Sequence, residues 1–212
     1  MKTFVFFGDS VTEGCFELYP TSYGFDTVRR PEYAYPTLLK PVLREKYGEV
    51  RTVNAGLSGD NAHRALERLD RDVLSCHPDT VVVCFGLNDV FHPLERFSAA
   101  LDAMFSRLRQ YAAVVFVTPN MLNTYLHPAT LPCSEKIARK TLEFQVSGVF
   151  DRYIDAARTA ARAAHIPVCD LYAYWQSLAA AGTDTTARLA NYINHPTPAM
   201  HRVLADRLAP ML

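Results

Sequence analysis

Neither sign of charge is in excess in this 212-residue sequence: 22 Lys and Arg stand against 22 Asp and Glu. No basic cluster or stripe disturbs that balance. The electrostatic footprint of a nucleic-acid binder is therefore missing, as is the polybasic contact that holds a protein to an anionic membrane. A polyanionic substrate is not expected either. Long apolar runs are also lacking. The run at residues 4–7 ends at Gly8-Asp9, too short for the core of a signal peptide, and no later segment approaches the length of a membrane span. The five cysteines, Cys15, Cys76, Cys84, Cys133 and Cys169, are odd in number and contain no Cys-x-x-Cys pair. Cys84 and Cys169 fall inside apolar runs and read as small core hydrophobes, so a reduced, cytoplasmic location is expected. There is no internal repeat, low-complexity tract or linker, and one domain over residues 1–212 is expected. Hydrophobic residues at 49% and charged residues at 21% suit a globular chain of that length with a full core.

What is present is an alternation. Five short apolar runs, at residues 3–7, 50–54, 80–85, 113–118 and 166–170, read as buried strands. Between them, Ala62, Ala65, Leu66, Leu69 and Val73 share one helical face, as do Phe97, Leu101, Met104, Phe105 and Leu108. A longer helical pattern covers residues 136–165, with Gly148 in its middle, and a last helix is expected over about 196–208. The helix before Tyr47 is less clear, because an interior proline costs a helix about 3 kcal/mol and this segment contains Pro36 and Pro41. Strands alternating with helices imply right-handed crossovers, hence an α/β fold with a parallel sheet between two helical layers.

Chemistry in such sheets collects beyond the carboxyl ends of the strands. Gly8-Asp9-Ser10 follows the first run and presents a serine from a tight glycine-led turn. Asn54-Ala55-Gly56-Leu57-Ser58-Gly59-Asp60-Asn61 follows the second, a turn into a helix whose first N–H groups lack partners. Gly86-Leu87-Asn88-Asp89 follows the third, and Asn194-His195-Pro196 stands before the last helix. Each segment alone is ordinary turn or cap chemistry. Asp9 reads as structural, its carboxylate turned onto the N–H groups of its own loop. His63, His92 and His127 show no metal-ligand spacing, so no metal is expected. Gly8-Asp9-Ser10 lacks the glycine spacing of a phosphate loop, which argues against a bound nucleotide; no cofactor is expected.

Together and in this order, Gly8-Asp9-Ser10, Ser58-Gly59-Asp60, Gly86-Leu87-Asn88-Asp89 and His195-Pro196, with His201 following, resemble the conserved blocks of the SGNH hydrolases, the GDSL esterases and lipases. The resemblance runs from Gly8 to about residue 208. It implies a flavodoxin-like, three-layer α/β/α fold with five parallel strands in the order 2-1-3-4-5. It also implies a serine esterase with Ser10 as nucleophile and His195 as base. The oxyanion donors would be the N–H of Ser10, the N–H of Gly59 and the side-chain amide of Asn88. The expected substrate is a small-molecule or carbohydrate ester with a short acyl group. The other reading on the same fold is a non-catalytic carbohydrate- or acyl-binding module.

One position departs from the family. The acid that orients the histidine stands three residues before it, and here that residue is Tyr192. Either another carboxylate, such as Asp184, reaches the imidazole or a neutral acceptor does; a neutral one is expected, a backbone carbonyl within residues 190–193 or the side-chain oxygen of Asn191. Three segments are candidates for pocket walls: residues 16–25, Phe91-His92 and residues 120–127.

Overall fold

The apolar run that opens the chain becomes β1 (Lys2–Gly8), buried on both faces from Thr3 onward. A strand with no polar face needs a neighbour on each edge and a layer on each side, and β1 has them. The computed structural model describes residues 1–212. In it β1 pairs in parallel with β4 (Val50–Gly56) on one edge and β5 (Thr80–Cys84) on the other. The sheet continues through β6 (Ala113–Val117) to β7 (Val168–Cys169). Its order is β4-β1-β5-β6-β7, the 2-1-3-4-5 order with the strands of this sheet renumbered from one. The topological switch therefore lies between β1 and β5, and the ends of these two strands form the walls of a crevice.

Helices cover both faces. On one side α2 (Tyr35–Tyr47) packs against α8 (Pro198–Leu208); on the other, α3 (Ala62–Asp72), α4 (Leu94–Leu108) and α6 (Val149–Ala163) pack in series, with α5 (Glu135–Val146) beside α6. The remaining elements are α1 (Ser10–Glu13), α7 (Leu171–Ala180) and a separate antiparallel hairpin of β2 (Cys15–Thr21) and β3 (Gly24–Arg29). One contiguous core of 50 buried residues joins the sheet to its helices.

Several boundaries differ from the sequence reading, each for a local reason. The pattern over 136–165 is two helices, because Gly148 takes a left-handed φ of 73° and turns the chain between α5 and α6. The helix at α2 survives both prolines: Pro36 lies in its first turn, where the missing N–H has no acceptor to lose, and the exposed side at Pro41 leaves the Thr37 carbonyl to water. The last helix begins at Pro198, since Pro196 is bridged to Leu189 across a small antiparallel turn. The hairpin, whose residues 16–25 the sequence offered only as a candidate pocket wall, is the largest addition.

Candidate active site

Gly8 ends β1 with a demand on space. A Cβ there would lie 2.1 Å from the Thr12 hydroxyl oxygen and 2.7 Å from the Cys84 carbonyl oxygen, so only glycine lets the chain turn at once into α1. Asp9 caps that turn, its carboxylate accepting the Val11 N–H at 3.0 Å. Burial pushes the Asp9 carboxyl up to about 7. Ser10 is thereby placed at the first helical position, where its N–H has no intrahelical acceptor and its hydroxyl faces the crevice.

The Ser10 hydroxyl lies 2.9 Å from His195 Nε2, and His195 Nδ1 lies 3.0 Å from the Phe16 carbonyl oxygen. A carbonyl can only accept, so Nδ1 carries the proton and Nε2 faces Ser10 with its lone pair. The acceptor is neutral, but it lies in β2 and not within residues 190–193. Asn191 is otherwise engaged: its side-chain oxygen accepts the N–H groups of Ile193, Asn194 and His195 and so fixes the turn that carries the imidazole. Tyr192, with φ 58°, stacks on His127 at 3.9 Å between ring centres. Asp184 is bonded to the Tyr125 hydroxyl and the Ala187 N–H.

The hairpin explains why a backbone carbonyl is free for this work. Cys15 pairs with Arg29 but Leu18 pairs with Thr27, so β2 carries one extra residue against β3. Such a bulge takes carbonyls out of the ladder and re-aims them. The Phe16 ring packs against His201 at 4.8 Å, and His201 Nδ1 accepts the Tyr35 N–H that opens α2. Burial holds both imidazoles below the ordinary 6.5, His195 to about 4 and His201 to about 3. Against that burial, the Phe16 carbonyl and the Glu13 charge favour a proton on His195.

Gly59 sits after β4 with φ 75°, in a turn closed by the Asp60 N–H to the Leu57 carbonyl. A Cβ at Gly59 would meet no protein atom, so the left-handed backbone, not crowding, is what calls for glycine. Asn88, after β5, donates one amide hydrogen to the Asp60 carbonyl at 2.8 Å, which aims its second toward the cavity. Arg68 on α3 ties these pieces together. It is 8% exposed and pairs with Asp60 at 2.7 Å while donating to the carbonyls of Ala55 and Gly8. Nothing in the sequence marked it, because an arginine on an amphipathic helix reads as solvent-facing.

Ser10, Gly59, Asn88 and His195 all line one cavity of about 330 Å³, with Leu18, Phe25, Phe91, Ile137 and Ile193 as its apolar walls. No Asp, Glu, Lys or Arg lines it. Of the expected wall segments, 16–25 contributes Leu18 and Phe25 and the Phe91-His92 pair contributes Phe91, while His92 does not line the cavity and lies against Asn61. The 120–127 segment acts from behind instead: the Asn120 amide donates to the Asn194 carbonyl, and the Asn123 N–H to the Ile193 carbonyl. No group of three or more His, Cys, Asp or Glu residues is arranged to hold a metal ion. No helix is long and apolar enough to cross a membrane.

A five-stranded parallel sheet in this order, with these four segments at its carboxyl edge, is the SGNH-hydrolase fold. The chain belongs to the GDSL-like lipase/acylhydrolase family, a family of carboxylic ester hydrolases, whose model matches residues 6–203. It is 33% identical over 88 residues to an acetylxylan esterase of Geobacillus stearothermophilus, a match covering 41% of this chain and 39% of that protein. The crystal structure of a lipase/acylhydrolase from Enterococcus faecalis superposes with a TM-score of 0.75 at 25% identity, over 100% of this chain and 95% of that one. An acetylxylan esterase structure from Geobacillus stearothermophilus superposes at 0.71 with 20% identity, over 99% and 93% of the two chains.

Proposed function

We propose that this protein is a serine esterase that removes short acyl groups, from carbohydrate-linked esters in particular, through an acyl-serine intermediate. The observation that carries the reading is the line from the Ser10 hydroxyl through His195 to the Phe16 carbonyl, with Gly59 and Asn88 lining the same cavity. Ser10 Oγ attacks the ester carbonyl as His195 Nε2 takes its proton. The charge that develops on the carbonyl oxygen is met by the N–H of Ser10, the N–H of Gly59 and the Asn88 amide. His195 returns the proton to the leaving alcohol. It then activates water for the second half of the reaction, which frees the acid and restores Ser10.

The cavity supports a short acyl group. At about 330 Å³ it is near the lower end of ligand pockets, and it has to seat part of the alcohol as well. The carbohydrate assignment draws on the acetylxylan esterases among the similar proteins and on the uncharged lining. A panel of nitrophenyl esters of rising chain length tests it, together with an acetylated xylo-oligosaccharide. The acetyl ester is expected to have the highest kcat/KM. Faster turnover of a palmitoyl ester, with both kept soluble, would reverse the assignment.

The pH dependence follows from His195. With its imidazole held to about 4, kcat/KM is expected to rise from acid to half its plateau near pH 4 and to be flat through neutrality. An unperturbed imidazole would put that midpoint near 6.5. The same shift bears on stability with a definite sign. The folded state disfavours the proton, so the contribution is present above about 6.5 and is lost as pH falls through about 4. A kcat/KM midpoint near 6.5 would show instead that burial does not hold the His195 imidazole down.

A further inference from the structure

We infer that Glu13 is a positioning residue for the esterase reaction proposed above: it fixes the oxyanion turn at Ser58-Gly59 against the hairpin. The inference rests on that reading. Glu13 closes α1, three residues after Ser10 and three before Phe16, and its carboxylate reaches in two directions. One oxygen accepts the Ser58 N–H at 2.6 Å, on the peptide just before the Gly59 N–H; the other accepts from Arg29 Nε at 2.9 Å, in β3 of the hairpin. Its backbone is pressed onto the end of β4, where a Cβ on Gly56 would lie 2.2 Å from the Glu13 nitrogen. The side chain therefore starts from a fixed point and touches the supports of both halves of the site.

Read as a surface ion pair, Glu13 with Arg29 would be worth little, since Arg29 is 43% exposed. The bond to Ser58 is what distinguishes it. A charge-assisted bond to a backbone N–H is roughly twice as strong as a neutral one, and this one sets the plane of the turn that presents Gly59. The charge bears on His195 as well. When His195 takes the Ser10 proton it becomes a buried cation whose direct partner, the Phe16 carbonyl, is neutral, and the Glu13 charge favours a proton there.

Glu13→Ala, which frees the turn, is expected to cost about 10²-fold in kcat on an acetyl ester, approaching the loss of an oxyanion donor, and to change KM by less than about twofold. Glu13→Gln keeps an oxygen for the Ser58 N–H and is expected to recover most of that loss. A folded Glu13→Ala whose kcat stays within about twofold of wild type, or whose loss appears in KM alone, overturns the inference; if Glu13→Ala fails to fold, Glu13→Met, which fills the same space without an acceptor, decides in its place. Failure of the parent reading looks different: the wild-type protein would neither hydrolyse esters nor be labelled at Ser10 by a fluorophosphonate.

Discussion

Ser10→Ala is expected to abolish ester turnover and covalent labelling by a fluorophosphonate together, with a loss in kcat of about 10⁶ where the wild-type rate is high enough to measure it. The size follows from what alanine removes. Without the hydroxyl no acyl-serine can form, and the remaining donors, the N–H groups of residues 10 and 59 and the Asn88 amide, can only assist attack by water. In serine hydrolases that residue of catalysis is about 10³ to 10⁴ over the uncatalysed rate. Alanine should not disturb the fold, because the turn is held by the Asp9 carboxylate on the Val11 N–H and by Gly8, not by the Ser10 side chain. An unchanged melting temperature with turnover lost is the expected pair of results. Retained turnover in the alanine variant would end the esterase reading. Intact binding of an acylated sugar by a wild-type protein that hydrolyses nothing would favour the binding module.

The sheet could be read from the sequence because its strands are buried on both faces. Residues 4–7 and 81–84 admit no polar side chain, and the strands fall at spacings that leave room for a crossover helix. The hairpin could not be read this way. Along β2 the exposure runs from buried Cys15 and Phe16 through half-buried Glu17 and Leu18 to exposed Tyr19 and Pro20, so the period of two that marks a strand never develops. Proline at position 20 is tolerated because the hairpin stands apart from the main sheet.

The partner of His195 escaped the sequence for a different reason. A carboxylate three residues before the histidine is a side chain and leaves a letter in the sequence, whereas a backbone carbonyl leaves none. The expected acceptor lay within residues 190–193, whereas the carbonyl that bonds Nδ1 belongs to a residue 179 positions away. Asn191, the other candidate, has its oxygen committed to three N–H groups of its own turn, a use that short polar side chains commonly find. Tyr192 showed that the usual acid is missing, which left a neutral acceptor or a carboxylate from another position. That the acceptor would come from a bulge in an unrecognised hairpin was not legible there.

The second large effect is expected at Asn88. Removing one oxyanion donor costs about 10² to 10³ in kcat, because the bond is strongest when the carbonyl oxygen carries charge and weak when it does not. Asn88→Ala should therefore lower kcat by that factor and leave KM nearly unchanged. The amide is pre-aimed: one of its hydrogens is held by the Asp60 carbonyl at 2.8 Å, and Asp60 is in turn held by Arg68 at 2.7 Å. Alanine also strips that carbonyl of its donor, at a cost of about 1 kcal/mol in stability, so a small drop in melting temperature should accompany the rate loss. Asn88→Asp makes the sharper test. Its size is nearly the same, but a carboxylate offers no hydrogen to either oxygen and places negative charge beside the position where negative charge must develop. It should be slower than alanine, by an amount that shrinks as pH falls and the carboxylate is neutralised. An aspartate variant faster than the alanine variant at neutral pH, or a loss in either that appears in KM with kcat intact, would place Asn88 in substrate binding and leave the oxyanion to the two backbone N–H groups.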